Sequence, residues 1–166
     1  MQARRFEIDE STASVAFVAS SSVHPIRSVG SVSGWFEAAF GNGAFAENQE
    51  LCGDLEVQLD RLSSGNPLVD REMKRRVDSA LHPVINARIE ETLRVDGNHA
   101  TITGTIDFFG VSTLVEGEVD ILPGPRLVGT GDFDVRWWGF EPPRLLIMRV
   151  DPIVTVEIDA PLIERH

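Results

Sequence analysis

The sequence predicts an all-β fold with one inserted helix, in the form of an antiparallel β-barrel of about eight strands. Apolar and polar residues alternate along most of the chain, which is the pattern of half-buried strands. Glycines occur at several apolar positions of these segments, and barrels use glycine where a strand bends sharply. A single stretch near residue 70 has helical periodicity instead. With 166 residues, we expect one domain spanning 1–166.

Four strands are predicted before the helix, over residues 6–9, 13–20, 28–40 and 51–62. In the second of these strands Val15 and Phe17 share one face, while Trp35 and Val57 hold apolar positions of the third and fourth. Because successive side chains of a strand point to opposite faces, we expect these four residues to face the barrel interior.

One helix is predicted over residues 67–77. Asn66 is a suitable N-cap, and Pro67 fits the first helical position. Every fourth residue is apolar, and the expected inward face comprises Val69, Met73, Val77 and Leu81. Pro83 then ends helical geometry, because the residue before a proline avoids it.

Further strands are predicted over residues 84–95, 100–108, 113–122, 127–137 and 154–159, with an apolar segment at 145–150. Their expected inward residues are Ile102, Gly104, Ile106, Phe108, Gly117, Val119, Phe133, Val135, Trp137 and Ile158. A barrel of this size is either filled by side chains or holds one small ligand. Gly104 and Gly117 favour a cavity, although a role at a strand corner explains an inward glycine equally well.

The charge balance disfavours several partners. The chain has 26 acidic and 15 basic residues and a net charge of −11, which repels nucleic acids and anionic membrane surfaces. Residues 1–10 lack the apolar stretch of a secretory signal, and no segment approaches the ~18 consecutive apolar residues of a membrane span. We therefore expect no nucleic-acid partner, no integral membrane segment and a cytoplasmic location.

Residues capable of chemistry give little support for an enzyme. The four histidines lack metal-ligand spacing, and the paired carboxylates lie at positions expected on outer strand faces. Cys52, the only cysteine, is expected to be a small buried apolar residue. These observations predict no catalytic residue, no metal and no cofactor, apart from a co-purified isoprenoid or lipid.

The predicted helix is basic, although the chain as a whole is acidic. Within six positions it contains Arg71, Lys74, Arg75 and Arg76. One interpretation is an amphipathic helix that caps a barrel end, with Glu72 paired to Arg76 and the other charges solvated. The other interpretation places Arg71 and Arg75 at the mouth of a cavity, where they meet a phosphate or carboxylate head group. The loop 137–144 has two interpretations as well, which are barrel-end packing or a lid that contacts a partner.

Several strings in the chain carry a family resemblance. They are Phe6-Glu7-Ile8-Asp9 with Ser14-Val15-Ala16-Phe17, then Val32-Ser33-Gly34-Trp35-Phe36, Asn66 through Met73, Pro83-Val84-Ile85, Ile102-Thr103-Gly104-Thr105-Ile106 and Phe109-Gly110-Val111-Ser112. In order and spacing they resemble the YceI-like family over nearly the whole chain. This is a lipocalin-like group whose members bind polyisoprenoids or other long-chain amphiphiles in an elongated barrel.

The resemblance also implies changes near a ligand head group. Asp70 keeps the aspartate of the family's helical motif, which makes it a head-group candidate beside Arg71 and Arg75. Three other polar positions differ, because this chain has Val69 for an arginine and Glu72 and Phe109 for histidines.

The resemblance and the inward glycines together predict a non-enzymatic protein that carries or sequesters one hydrophobic small molecule of isoprenoid, quinone or fatty-acyl type. A second hypothesis is a filled barrel that acts as a structural or regulatory interaction domain, as a homodimer through a sheet edge or the Trp137-Trp138 loop. A third is an enzyme that acts on a lipid-like substrate.

Overall fold

The computed structural model describes residues 2–142, 144–145 and 147–164. Its strands are β1 (Arg4–Ile8), β2 (Ser14–Ser21), β3 (Ile26–Gly30), β4 (Val32–Ala38), β5 (Phe40–Gly41), β6 (Ala44–Phe45), β7 (Cys52–Gln58), β8 (Val84–Asp96), β9 (His99–Phe108), β10 (Val111–Leu122), β11 (Arg126–Asp134), β12 (Arg144–Leu145) and β13 (Met148–Glu164). One α-helix, α1 (Pro67–Val77), and two short 3-10 helices, Leu59–Arg61 and Val135–Trp138, complete the described elements.

The long strand β13 closes the sheet into a barrel. It pairs with β11 along one edge and with both β1 and β2 along the other, antiparallel in each case. β4 pairs with β1, and β3 pairs with β2. The segment from β1 to β2 therefore forms one bent barrel strand, and the segment from β3 to β4 forms the next. The remaining order is β4-β7-β8-β9-β10-β11-β13. The result is the closed eight-stranded antiparallel barrel that the sequence predicts, with β5 and β6 as a separate small hairpin.

The helix begins and ends at the residues predicted for it. Asn66 Oδ1 accepts hydrogen bonds from the backbone N–H groups of Leu68 (3.0 Å) and Val69 (3.3 Å). The chain leaves the helix at Asp78, which has a left-handed φ of 52°. The prediction for Leu81 is wrong, since this side chain is 70% exposed. It lies beyond the end of the helix, where the four-residue repeat no longer applies.

The two ends of the barrel differ in packing. At one end a large core surrounds Phe6, Phe36 and Leu51, all of which are fully buried; we call this the closed end. Over the other end lies α1, which buries Val69 and Val77. We call the segments at this end the helix end, and they comprise residues 21–26, 59–85, 107–114 and the described residues of 133–154, which are 133–142, 144–145 and 147–154. Among the described residues, no helix has the length and apolar character needed to cross a membrane.

Two further expectations are corrected by the fold. The strand predicted over 127–137 ends at Asp134, whose carboxylate accepts a hydrogen bond from the Arg136 backbone N–H (2.9 Å) and starts a 3-10 helix. The alternation therefore stops, so that Trp137 is 54% exposed and Trp138 only 2% exposed. Cys52 is exposed rather than buried, because strand alternation turns it outward while its neighbours Leu51 and Gly53 point inward.

Candidate functional site

A cavity of about 310 Å³ lies inside the barrel, between the core of the closed end and α1. This volume is at the lower end of the ~300–1,000 Å³ of typical small-molecule sites. The residues predicted to face the interior that line this cavity are Val15, Phe17, Trp35, Val57, Ile102, Gly104, Ile106, Phe108, Gly117, Val119, Phe133, Val135 and Ile158. Trp137, which was also expected there, does not line it, and Trp138 takes this place. The barrel is therefore hollow next to the helix.

Glycines keep one wall of the cavity free of side chains. Gly104 on β9, Gly117 on β10, and Gly129 and Gly131 on β11 all line the cavity. A Cβ atom at Gly117 would meet only the backbone oxygen of Thr130, at 3.6 Å, so the space beside it is open. Gly129 and Gly131 are not among the residues predicted to face the interior. The signal was present, because they alternate in step with the inward residue Phe133.

Polar and charged residues form a small part of the lining, with Ser28, Arg88, Glu118 and Thr130 on the strands and two residues on α1. Asp70 and Lys74, one turn apart, line the cavity, and both are partly exposed. Asp70 Oδ1 accepts hydrogen bonds from the backbone N–H (2.9 Å) and hydroxyl (2.6 Å) of Ser64. Lys74 has no ion-pair partner within the described part of the chain. The cavity therefore borders partly exposed residues of α1, one of which is a lysine without a carboxylate partner among the described residues.

The arginines expected at the mouth are elsewhere. Arg71 is exposed and does not line the cavity. Arg75 is exposed as well, and its Nη2 donates to Glu72 Oε1 at 2.6 Å. This hydrogen bond lowers the pKa of Glu72 and raises that of Arg75. Glu72 Oε1 also lies 3.4 Å from Arg76 Nε, which is the ion pair predicted for a helix that caps the barrel.

Aromatic rings line part of the cavity at the helix end. Phe108 packs edge-on against Trp138 and Phe140, with ring centroids 6.3 and 5.6 Å apart. The indole N–H of Trp138 donates to the backbone oxygen of Ile106 at 2.8 Å, which holds the ring in place. The loop after β11 thus packs the barrel end through Trp138 and Phe140 while it exposes Trp137.

The histidine with the closest carboxylates lies outside the cavity lining. At the closed end, His99 Nδ1 is 2.7 Å from Asp120 Oδ1, and Nε2 is 3.4 Å from Glu118. The hydrogen bond to Asp120 raises the pKa of His99. Within residues 2–142, 144–145 and 147–164, no group of three or more histidine, cysteine, aspartate or glutamate side chains is arranged to hold a metal ion.

Sequence comparison identifies the family. The profile of the YceI-like domain matches residues 6–162, which is nearly the whole chain. This chain belongs to the YceI-like domain family. The match confirms the resemblance carried by the sequence strings, whereas no curated protein matches the chain significantly.

Solved structures share the fold of this YceI-like domain at low sequence identity. BcnA of Burkholderia cenocepacia aligns with a TM-score of 0.79 and 12% identity, over 92% of this chain and 98% of BcnA. A polyisoprenoid-binding domain of Saccharophagus degradans, implicated in plant cell wall breakdown, aligns with a TM-score of 0.70 and 14% identity, over 96% and 98% of the two chains. The YCEI protein of Campylobacter jejuni aligns with a TM-score of 0.64 and 12% identity, over 81% of each chain.

The three positions that depart from the YceI-like strings lie outside the cavity lining. Val69 is buried in contact with the cluster around Met148, and Glu72 holds the helix ion pairs. Phe109 packs against Phe140 with ring centroids 5.4 Å apart. Asp70, which keeps the aspartate of the helical motif, lines the cavity. The helix therefore contributes an apolar contact and structural ion pairs at the changed positions.

Proposed function

We propose that this protein binds and carries one elongated apolar or amphiphilic molecule, of isoprenoid, quinone or fatty-acyl type, inside the barrel without catalysing a reaction. The observation that carries the proposal is the cavity of about 310 Å³, which is lined mostly by apolar side chains and inward glycines. Burial of an apolar chain in such a space is favourable by ~25 cal/mol per Å². The similar fold of the Saccharophagus degradans polyisoprenoid-binding domain supports the same ligand class.

A direct test is native mass spectrometry of the purified protein, combined with organic extraction of the same sample. We expect an adduct whose mass matches a lipid-like molecule in the extract. If every preparation is free of adducts, and if the protein also fails to take up added isoprenoid alcohols and fatty acids, the proposal is wrong.

The length of the apolar tail is expected to control affinity more than the head group does. Each buried CH₂ contributes ~0.8 kcal/mol, about a fourfold change in Kd, until the cavity is full. Titration with fatty acids of increasing length, below their micellar concentrations, measures this slope. We expect affinity to rise and then level off. Equal affinity for short and long chains would show that the ligand lies outside the apolar cavity.

Lys74 is expected to select anionic head groups. An ammonium group without a carboxylate partner forms charge-assisted hydrogen bonds with phosphate or carboxylate, and partial exposure limits the preference over an alcohol to about 3–10-fold. Binding of a matched alcohol and phosphate to the Lys74→Gln protein, at low and high salt, measures it. The preference should disappear in this variant.

The matched control is the Arg71→Gln/Arg75→Gln double variant, which removes two positive charges from the same helix outside the cavity lining. This protein should keep the preference for the phosphate. Loss of discrimination in the control together with unchanged discrimination in Lys74→Gln would place the head group on the outer face of α1 and contradict the prediction.

A further inference from the structure

Exposed apolar side chains concentrate around the helix end. The helix end contains 61 of the 161 described residues. It nevertheless holds eight of the eleven exposed large apolar side chains of the described residues, which are Val23, Leu68, Leu81, Val111, Leu114, Trp137, Ile147 and Ile153. They come from all four segments of the helix end, and Ile147 is 85% exposed in the turn between β12 and β13. Solvent-exposed apolar groups gathered at one end of a molecule mark an interaction surface.

The charge of the protein is distributed unevenly between the helix end and the barrel wall. The helix end contains eight basic and eight acidic residues, so the net charge of −11 lies entirely on the rest of the chain. Cations of the helix end without an ion-pair partner among the described residues are Arg71, Lys74, Arg144 and Arg149. At physiological salt, screening limits charge interactions to about 8 Å. A partner that binds at the helix end therefore interacts more strongly with these cations than with the acidic residues of the barrel wall.

The cavity borders α1, within the helix end. Asp70 and Lys74 line the cavity on α1, while Leu68 and Arg71 on the same helix are exposed to solvent. Trp137 lies beside β10, where its backbone oxygen is 3.4 Å from the hydroxyl of Thr113, next to exposed Leu114. A surface that covers the helix end therefore also covers the part of the cavity that borders α1.

From these observations we propose that the helix end docks on the surface of a lipid bilayer. Trp137, Leu114 and Ile147 insert among the lipid head groups, and the acidic barrel wall faces away from the membrane. An insoluble molecule then passes between bilayer and cavity without crossing water, a consequence that rests on the proposed function. Separate apolar side chains with charged residues between them suit the mixed polarity of a head-group region better than the continuous apolar core of a protein interface.

Flotation with vesicles tests this docking. The vesicles consist of phosphatidylcholine with a minority of phosphatidylglycerol. The proteins are the wild type, a Leu114→Ser/Trp137→Ser/Ile147→Ser variant, and a Leu93→Ser/Ile163→Ser control that removes exposed apolar side chains outside the helix end. We expect the first variant to bind at least tenfold more weakly than the wild type and the control to bind equally well. Brominated phosphatidylcholine should quench the fluorescence of wild-type Trp137, and this quenching should be absent from Trp137→Phe.

The remaining outcomes separate this proposal from the proposed function. Uptake of a fluorescent fatty acid is measured without vesicles, and all three proteins should take it up equally. If the wild type floats but takes up no apolar molecule, the bilayer contact holds and the proposed function fails. If the wild type stays with the soluble fraction, or if the Leu114→Ser/Trp137→Ser/Ile147→Ser variant floats as well as the wild type, the docking is wrong. A dimer that this variant abolishes, without any flotation of the wild type, would identify a second copy as the occupant and also overturn it.

Discussion

The Gly117→Leu protein is expected to lose about 100-fold in affinity for a long-chain ligand while it remains folded. The added side chain enters the cavity, since a Cβ at this position meets only the Thr130 backbone oxygen at 3.6 Å. Its four carbon atoms displace a similar number of ligand carbons, at ~0.8 kcal/mol each, which gives ~3 kcal/mol in binding. Titration with a fluorescent fatty acid and a urea melt of the same sample measure affinity and stability.

A neighbouring position provides the control. Glu116 lies on the same strand with its side chain exposed, so Glu116→Leu adds an apolar group outside the barrel. This variant should bind ligand like the wild type. Unchanged binding by Gly117→Leu would mean that ligands do not occupy this wall. A strong loss of stability would mean instead that the space cannot accept a side chain, because overpacking costs ~1–3 kcal/mol.

The Gly34→Ala protein is expected to lose at least about 3 kcal/mol of stability, a large part of the 5–15 kcal/mol typical of a domain. Gly34 has a φ of +138°, which L side chains rarely adopt, and it pairs with β7 at Leu55. A Cβ atom there would lie 2.0 Å from the backbone oxygen of Asp54. Neither group can move without separating β4 from β7. The shift of the urea midpoint measures the loss.

Gly43→Ala separates the two causes of this loss. Gly43 also has a positive φ, +77°, but a Cβ there would have no atom within 4 Å. Its replacement should cost only the backbone strain, ~1–2 kcal/mol. Equal losses for the two variants would show that the approach of Asp54 to Gly34 is not the determining contact.

The fold was predictable because strand periodicity is a local property. The alternation of Val115, Gly117 and Val119 assigns a face to each residue without knowledge of the neighbouring strands, and all three line the cavity. The pairing of β13 with both β1 and β2 could not be read in this way, since it depends on contacts between the two ends of the chain. Trp137 was misplaced for a local reason, because the carboxylate of Asp134 turns the strand into a 3-10 helix.

The helical spacing of α1 contains a further signal about which of its charged residues face the cavity. Successive helical residues are separated by about 100°, so Asp70 and Lys74 lie about 60° and 100° from the centre of the Val69–Val77 face. Arg71 and Arg75 lie about 160° from it, on the solvent side. The helical spacing thus favours Lys74 over the two arginines as a residue that faces the cavity. Lys74 lines the cavity, and Arg71 and Arg75 do not. The volume of the cavity depends on the distances between strands, which no local pattern contains.

The pairing of β13 with β1 and β2 has a consequence for biosynthesis. Phe6 pairs with Glu164 and Val15 with Ile158, so the contacts that close the barrel join the first residues of the chain to the last. Pairing across such sequence distances is slow, because loop-closure entropy is lost before the contacts form. While the ribosome is still making β13, the other strands form an open sheet whose apolar face is exposed to water. Ligand capture inside the cavity is therefore a step that follows the pairing of β13 with β1 and β2.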